Sequence, residues 1–127
     1  MPSPVQPQAS QTFLGIHGTA LALREQRLQL LAANIANADT PGFKAQDLDF
    51  QGALRAALQS GGPGDAIDNA AASARFAPNA SQPSMDGNTV DGEQARAAFA
   101  QATLEYRASL SFVESKVRGM LTAITGQ

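Results

Sequence analysis

Residues 31–50 read LAANIANADTPGFKAQDLDF, and their reading decides the fold. An apolar pattern of heptad spacing runs into Asn34 and Asn37, halts at Asp39-Thr40-Pro41-Gly42, and gives way to an alternating segment that ends at Phe50. Asn34 and Asn37 stand three apart, so on a helix they share a face and offer amides to whatever chain folds back there. Pro41 biases Thr40 away from the helical region and has no N–H to continue a ladder. Thr40-Pro41-Gly42-Phe43 then fits a type II turn, with Pro41 pre-setting the second position and Gly42 free to take positive φ at the third. Local chemistry by itself explains the string as a helix stop and a turn. A short extended or β segment from Phe43 to Phe50 is expected to follow.

Upstream of this string a helix is predicted from about Ser10 to Asn37. Leu14, Leu21, Leu28 and Ile35 recur every seven residues and, joined by Leu31, make one apolar stripe. Phe13, Ile16, Ala20, Leu23 and Leu30 make a second, offset by two residues and so nearly opposite at about 100° per residue. Downstream, Asp91 with Gln94 reads as an N-cap and its capping-box partner, opening a helix expected to run to about Thr125. Phe99, Tyr106, Val113 and Met120 recur every seven residues, interleaved by Leu110, Val117 and Ile124. That alternating spacing is a coiled-coil seam. Leu104, Phe112 and Leu121 fall off it and leave apolar surface over.

The fold class expected is all-α: two long terminal helices paired as an antiparallel coiled-coil hairpin, around a flexible, mostly irregular centre. The boundaries are a disordered leader at 1–10, a first helix at 10–37, a turn and extended segment at 38–50, a flexible region at 51–90 and a last helix at 91–125. Within 51–90, Ala, Gly, Ser and Pro supply 22 of 40 residues, broken at Gly61-Gly62-Pro63-Gly64. Gln51 to Ser60, with Leu54 and Leu58, can form a short helix. Beyond it the composition buries too little apolar area to offset ~1–2 kcal/mol of backbone entropy per residue.

Composition narrows the function. The chain has 127 residues, a formal net charge of −2 and nine scattered Lys and Arg, so there is no basic footprint for nucleic acid. No apolar run reaches the roughly 18 residues of a membrane span, so insertion by this chain is not expected. There is no cysteine, which excludes disulfides and thiolate metal sites and fits either redox compartment. The first residues, Met1-Pro2-Ser3-Pro4-Val5-Gln6-Pro7, lack the cationic and apolar regions of a cleaved signal peptide.

Catalytic chemistry finds little footing. His17 is the single histidine and stands on a helix without a cysteine or paired acid nearby, which favours an interface residue over a ligand. Asp47 and Asp49 share a face of an extended segment but lack a third ligand, which favours solvated acids over a divalent cation site. Asp86 to Asp91 lacks the acid and glycine placement of a calcium loop. No cofactor, metal, small-molecule substrate or catalytic residue is expected.

Both helices carry more apolar surface than one hairpin can bury. Phe13, Ile16, Leu23 and Leu30 alone offer roughly 6–12 kcal/mol of burial, comparable with a domain's net stability of ~5–15 kcal/mol. The expected partner is another chain packed along the hairpin.

The string also resembles, nearly residue for residue, the N-terminal signature of flagellar axial proteins. Ala38-Asp39-Thr40-Pro41-Gly42 and Asp47-Leu48-Asp49-Phe50 are similar to the form carried by basal-body rod proteins, and Gly87-Asn88-Thr89-Val90-Asp91 to the family's entry into its last helix. Phe43 stands where a Tyr is frequent, Gly92-Glu93 where an apolar-acidic pair is, and Gln101-Ala102 where a Glu-Asn pair is. The resemblance implies a structural subunit of the proximal rod of the bacterial flagellum. There the terminal helices form the inner coiled-coil layer of the axial tube, which transmits torque and encloses the export channel. Partners would be other copies of the chain, other rod proteins, and the nearby MS-ring and export-gate proteins. The location would be the periplasmic rod, reached through the flagellar type III export apparatus without a cleaved signal peptide. Asn34, Asn37, Asp39, Thr40, Pro41, Gly42 and Phe43 would be the assembly turn. Phe99, Tyr106, Leu110, Val113, Val117, Met120 and Ile124 would be the helix seam. A cytosolic helical-hairpin adaptor, binding one partner helix through an exposed stripe, is the alternative; it leaves the turn string and the surplus apolar surface unexplained.

Overall fold

The computed structural model describes residues 9–61, 65–78 and 85–126, with side chains from Leu14 onward. Its elements in chain order are α1 (Ala9–Ala36), β1 (Asp47–Leu48), α2 (Phe50–Gln59), α3 (Asp65–Ser73), β2 (Arg75–Phe76) and α4 (Gly92–Thr125). The expected leader at 1–10 falls mostly outside the described residues, and α1 already includes Ala9 and Ser10. Among the described residues, no helix is long and apolar enough to cross a membrane.

α1 has 28 residues and α4 has 34, so the two rods are about 42 and 51 Å long. They pair antiparallel. Leu31 and Asn34 line one small cavity with Asp91, Gln94 and Ala95. Arg24 reaches Glu105, and the His17 ring lies 4.8 Å from that of Phe112. Numbers therefore rise along α1 as they fall along α4. The side chains of α4 that lose water most completely are Ala95 and Ala102. A methyl at each of these positions lets the helix axes approach closely, at the cost of little area buried per residue.

The ends of α4 form as their residues dictate. Asp91 is the N-cap, its carboxylate accepting from the N–H groups of Glu93 and Gln94. Gly126 takes φ +74 and donates its N–H to the Thr122 carbonyl, a left-handed C-terminal stop.

The centre of the chain departs from expectation. The short helix expected at Gln51 to Ser60 is α2, but the rest of 51–90, read from composition as flexible and mostly irregular, also holds α3 and β2. α2 is capped by Asp49, whose side chain accepts from Gly52 N–H. β2 pairs antiparallel with β1, Asp47 opposite Phe76 and Leu48 opposite Arg75. Composition misjudged this region because it priced alanine by area alone. Ala53, Ala57, Ala70 and Ala71 are all buried, and small side chains give α2 and α3 a close fit.

This central layer also covers much of the second stripe of α1, which was expected to await another chain. Leu23 is fully buried in a cluster with Leu48, Ala53 and Ala71, and Leu30, Phe50, Leu54 and Ile67 pack against it. The stripe facing outward in a bare hairpin is thus the floor of the molecule's own core. Ile16 and Ala20 remain on an open groove shared with Leu54 and Phe112, and the Phe13 side chain lies outside those described.

Candidate assembly interface

Two features stand out as functional candidates: a polar joint where α1 hands over to α4, and an exposed apolar stretch at the far end of α4. The joint is made by two segments far apart in sequence. α1 ends at Ala36, and the chain turns again at Thr40–Phe43, with Phe43 N–H donating to the Thr40 carbonyl at 3.2 Å. Gly42 takes φ +77, the left-handed conformation that the third position of a type II turn demands. A Cβ built on Gly42 would meet nothing within 4 Å, so its requirement is one of backbone conformation and not of space.

Asn34 binds the chain that folds back over it. Its Nδ2 donates to the Gln46 carbonyl at 2.8 Å and its Oδ1 accepts from Gln46 N–H at 3.0 Å. Only 3% exposed, it fixes the register of the segment leading to β1. Asn37, expected to do the same, works locally: it donates to the Ala33 carbonyl and accepts from the Thr40 hydroxyl. Asp39, Thr40, Pro41 and Gly42 are exposed, whereas Phe43 is half-buried.

The residue that sequence reading passed over is Asn88. Its Nδ2 donates to the carbonyls of Asn37, Ala38 and Thr40 at 2.9, 3.1 and 2.7 Å. These carbonyls lie in the turn just past the C-terminal end of α1. Its Oδ1 accepts from Val90 N–H, and its own N–H donates to the Asp86 carboxylate. Backbone bonds from Gly42 N to Asp86 O and from Thr89 N to Phe43 O, with the Thr89 hydroxyl accepting from Ala45 N, close the joint. Lys44 Nζ also donates to the Gly87 carbonyl. Asn88 was quoted only within the Gly87-to-Asp91 string that resembles the family's entry into its last helix, with no role of its own, because partners about fifty residues away leave no local signature.

Asp47 and Asp49, weighed as a cation site, have structural partners. Arg27 grips Asp47 through Nε at 2.9 Å and Nη2 at 3.2 Å, and lies 3.5 Å from Glu105. The hydrogen bond to Asp47 raises the Arg27 pKa above its ordinary value; burial opposes it, and the charges of Asp47 and Glu105 assist. Arg27 so ties β1 to both long helices. Asp49 caps α2.

The proposed seam residues divide by position. Phe99, Tyr106, Leu110, Val113 and Met120 are half-buried along α4. Val117 is 40% exposed and Ile124 80%. These two lie toward the C-terminal end of α4. Leu121 beside them is 56% exposed. Leu104, at 68%, stands apart on the outer side.

A hairpin of long terminal helices, closed by an Asn-bonded Pro-Gly turn and carrying an exposed apolar helix end, is the class of protein the fold defines. The sequence model described as "Flagella basal body rod protein" matches residues 14–44, the stretch that runs from α1 through the turn. The "Flagellar basal body rod protein FlgB" of Aeromonas hydrophila is 43% identical over 125 residues, covering 89% of this chain and 92% of that protein. The FlgB proteins of Escherichia coli K12 and Cereibacter sphaeroides are 40% and 39% identical, covering 83% and 90% of this chain and 87% and 94% of their own lengths. The chain belongs to the FlgB family of flagellar basal body rod proteins.

Proposed function

We propose that this chain is a structural subunit of the proximal part of the flagellar rod, packing by its long helices into the axial tube. Family membership carries the general reading: a structural component of the flagellar basal body rod, associated with other basal body proteins, and not an enzyme. The observation that supports packing by the helices is the apolar end of α4. Val117, Leu121 and Ile124 carry exposed apolar surface along the C-terminal end of the helix. Each large side chain of this kind forgoes about 1.5–3 kcal/mol of burial while it faces water. A neighbouring subunit's helices would recover it.

In this reading the polar joint sets the exit angle of the chain from α1, and the motif residues Asn34, Asn37 and Asp39 to Phe43 act in assembly by holding that angle. Neighbours would include further copies, other rod proteins, and the MS-ring and export-gate proteins beneath the rod. Delivery would be by the flagellar type III export apparatus, placing the chain in the periplasmic rod. The test is complementation of a strain lacking the homologous rod gene. Restored swimming, with the chain recovered in purified basal bodies, is expected. A stable cytosolic product that never enters basal bodies would favour the adaptor.

A further inference from the structure

The tip of the joint and the middle of the molecule carry matching chemistry. At the tip, Asp39 is exposed and has no partner among the described residues, and Met85 projects wholly into solvent. The two segments are drawn together by the bond from Gly42 N to Asp86 O. Beside the two-stranded sheet lies an open cleft of about 800 Å³, walled by Phe50, Phe76, Arg75, Arg24 and Glu105. Its carboxylates are engaged: Asp47 by Arg27, Glu105 by Arg24, and Asp49 by the start of α2. Arg75 is exposed and has no partner among the described residues, and Phe76 beside it is 47% exposed. Arg24, stacked 4.0 Å over Phe50, keeps a buried Nε without an acceptor among the described residues. The cleft is therefore short of one carboxylate and presents an open aromatic face.

We propose that the tip of one copy docks in this cleft of a second copy, Asp39 against Arg75 and the Met85 thioether against Phe76. The pairing joins a carboxylate to a free guanidinium and a sulfur to an aromatic ring, both favourable contacts. It cannot close within one chain, because the twelve residues of α1 from Arg24 to the helix end set the tip about 18 Å from the cleft. Between copies it is heterologous: each docking leaves one tip and one cleft free, so the contact propagates instead of stopping at a dimer. This rests on the rod reading and names the partner and surface that the reading leaves open.

The chain has no cysteine, so introduced pairs report cleanly. Ala38→Cys and Ala77→Cys place one thiol at the tip and one beside the cleft without removing a docking group. Basal bodies from cells carrying this double variant as the only copy are oxidised, alongside cells carrying Ile124→Cys as a reporter of the apolar end of α4. A ladder of linked copies beyond the dimer is expected from the double variant, and none from either single variant. Asp39→Lys should reduce the ladder about tenfold through like-charge contact with Arg75, and Arg75→Asp in the same chain should restore it. Rods that form and link through Ile124→Cys, while the tip and cleft never link, overturn this docking and leave the rod reading standing. Linkage of the tip to a different rod protein overturns the choice of a second copy. A charge reversal without effect overturns the Asp39–Arg75 pairing.

Discussion

Where α1 stops, a buried Asn88 spends its amide on three carbonyls, and the turn and the strand lead-in bond to the segment before α4. At the opposite end of the hairpin, Val117, Leu121 and Ile124 are exposed along the C-terminal end of α4. Behind the exposed Asp39 and Met85, the bonds of the first end are polar and close within one chain; the second end is apolar and exposed. The contrast separates two jobs that an assembling subunit must keep apart. Its shape must be fixed before it meets a neighbour, and its adhesive surface must not be consumed in fixing it. Substitutions at the joint should therefore act on the free chain, and substitutions at the apolar end on the assembly.

The largest effect on the free chain is expected from Asn88→Leu. The Ala38 carbonyl loses its donor, the Asn37 and Thr40 carbonyls keep only their backbone turn donors, and the Val90 N–H loses its acceptor, at a cost of about 3 kcal/mol. Urea unfolding of dilute protein measures it. A loss below about 1 kcal/mol would mean that water replaces Asn88 freely and that the joint is not the fixed end.

Gly42→Val comes next, at about 2 kcal/mol, because φ +77 resists a β-branched side chain. Gly42→Ala should cost about 1 kcal/mol. Since a Cβ meets nothing nearby, the two should differ only through backbone preference. Equal stability for all three chains would show that the turn relaxes to an ordinary φ, and the joint would then not set the exit angle. In cells, the Val variant is expected to be made and exported but to build few rods, with Ala intermediate.

Arg27→Met should cost about 1–2 kcal/mol by leaving the Asp47 carboxylate with a single backbone donor. The Arg27 pKa is raised in the fold, so its contribution is fully present below the ordinary guanidinium range and is lost only as pH rises through the still higher folded value. Between about pH 5 and 9, wild type and variant should therefore differ by a constant amount as far as Arg27 itself is concerned. A gap that narrows on approaching pH 9 would assign the stabilisation to some other group.

The same contrast explains what could be read from the sequence. Signals carried by neighbours in the chain were legible: the heptads of both helices, the Asp91 cap, and the positive φ at Gly42. Asn34 was legible as a residue offering its amide to a returning chain, because that chain returns within twelve residues. Asn88 was not, since its role exists only once residues about fifty positions apart have met. The central layer was missed for another reason. Ala53, Ala57, Ala70 and Ala71 have little area to bury, and a sequence shows area more readily than it shows fit. The second stripe of α1 was seen, but without that layer its partner was assigned to another molecule.

The smallest effect on the free chain is also the one that most sharpens the comparison. Leu121 is 56% exposed, so Leu121→Asp gives up little burial in the monomer and introduces a charge that water can solvate. Its effect on unfolding should stay within about 0.5 kcal/mol, as for other surface positions. In an assembly the same carboxylate would have to be desolvated against a neighbour's apolar side chains, so rods should fail to form and motility should be lost. Val113 marks the boundary between the two regimes. It lies eight residues earlier and is half-buried against the pair, so Val113→Asp should weaken the monomer measurably as well as abolish assembly. If Leu121→Asp destabilises the dilute monomer as much as Val113→Asp does, the apolar end of α4 is already packed within the free chain. If it leaves swimming intact, that end of α4 meets no neighbour, and the adhesive surface must lie elsewhere on the hairpin.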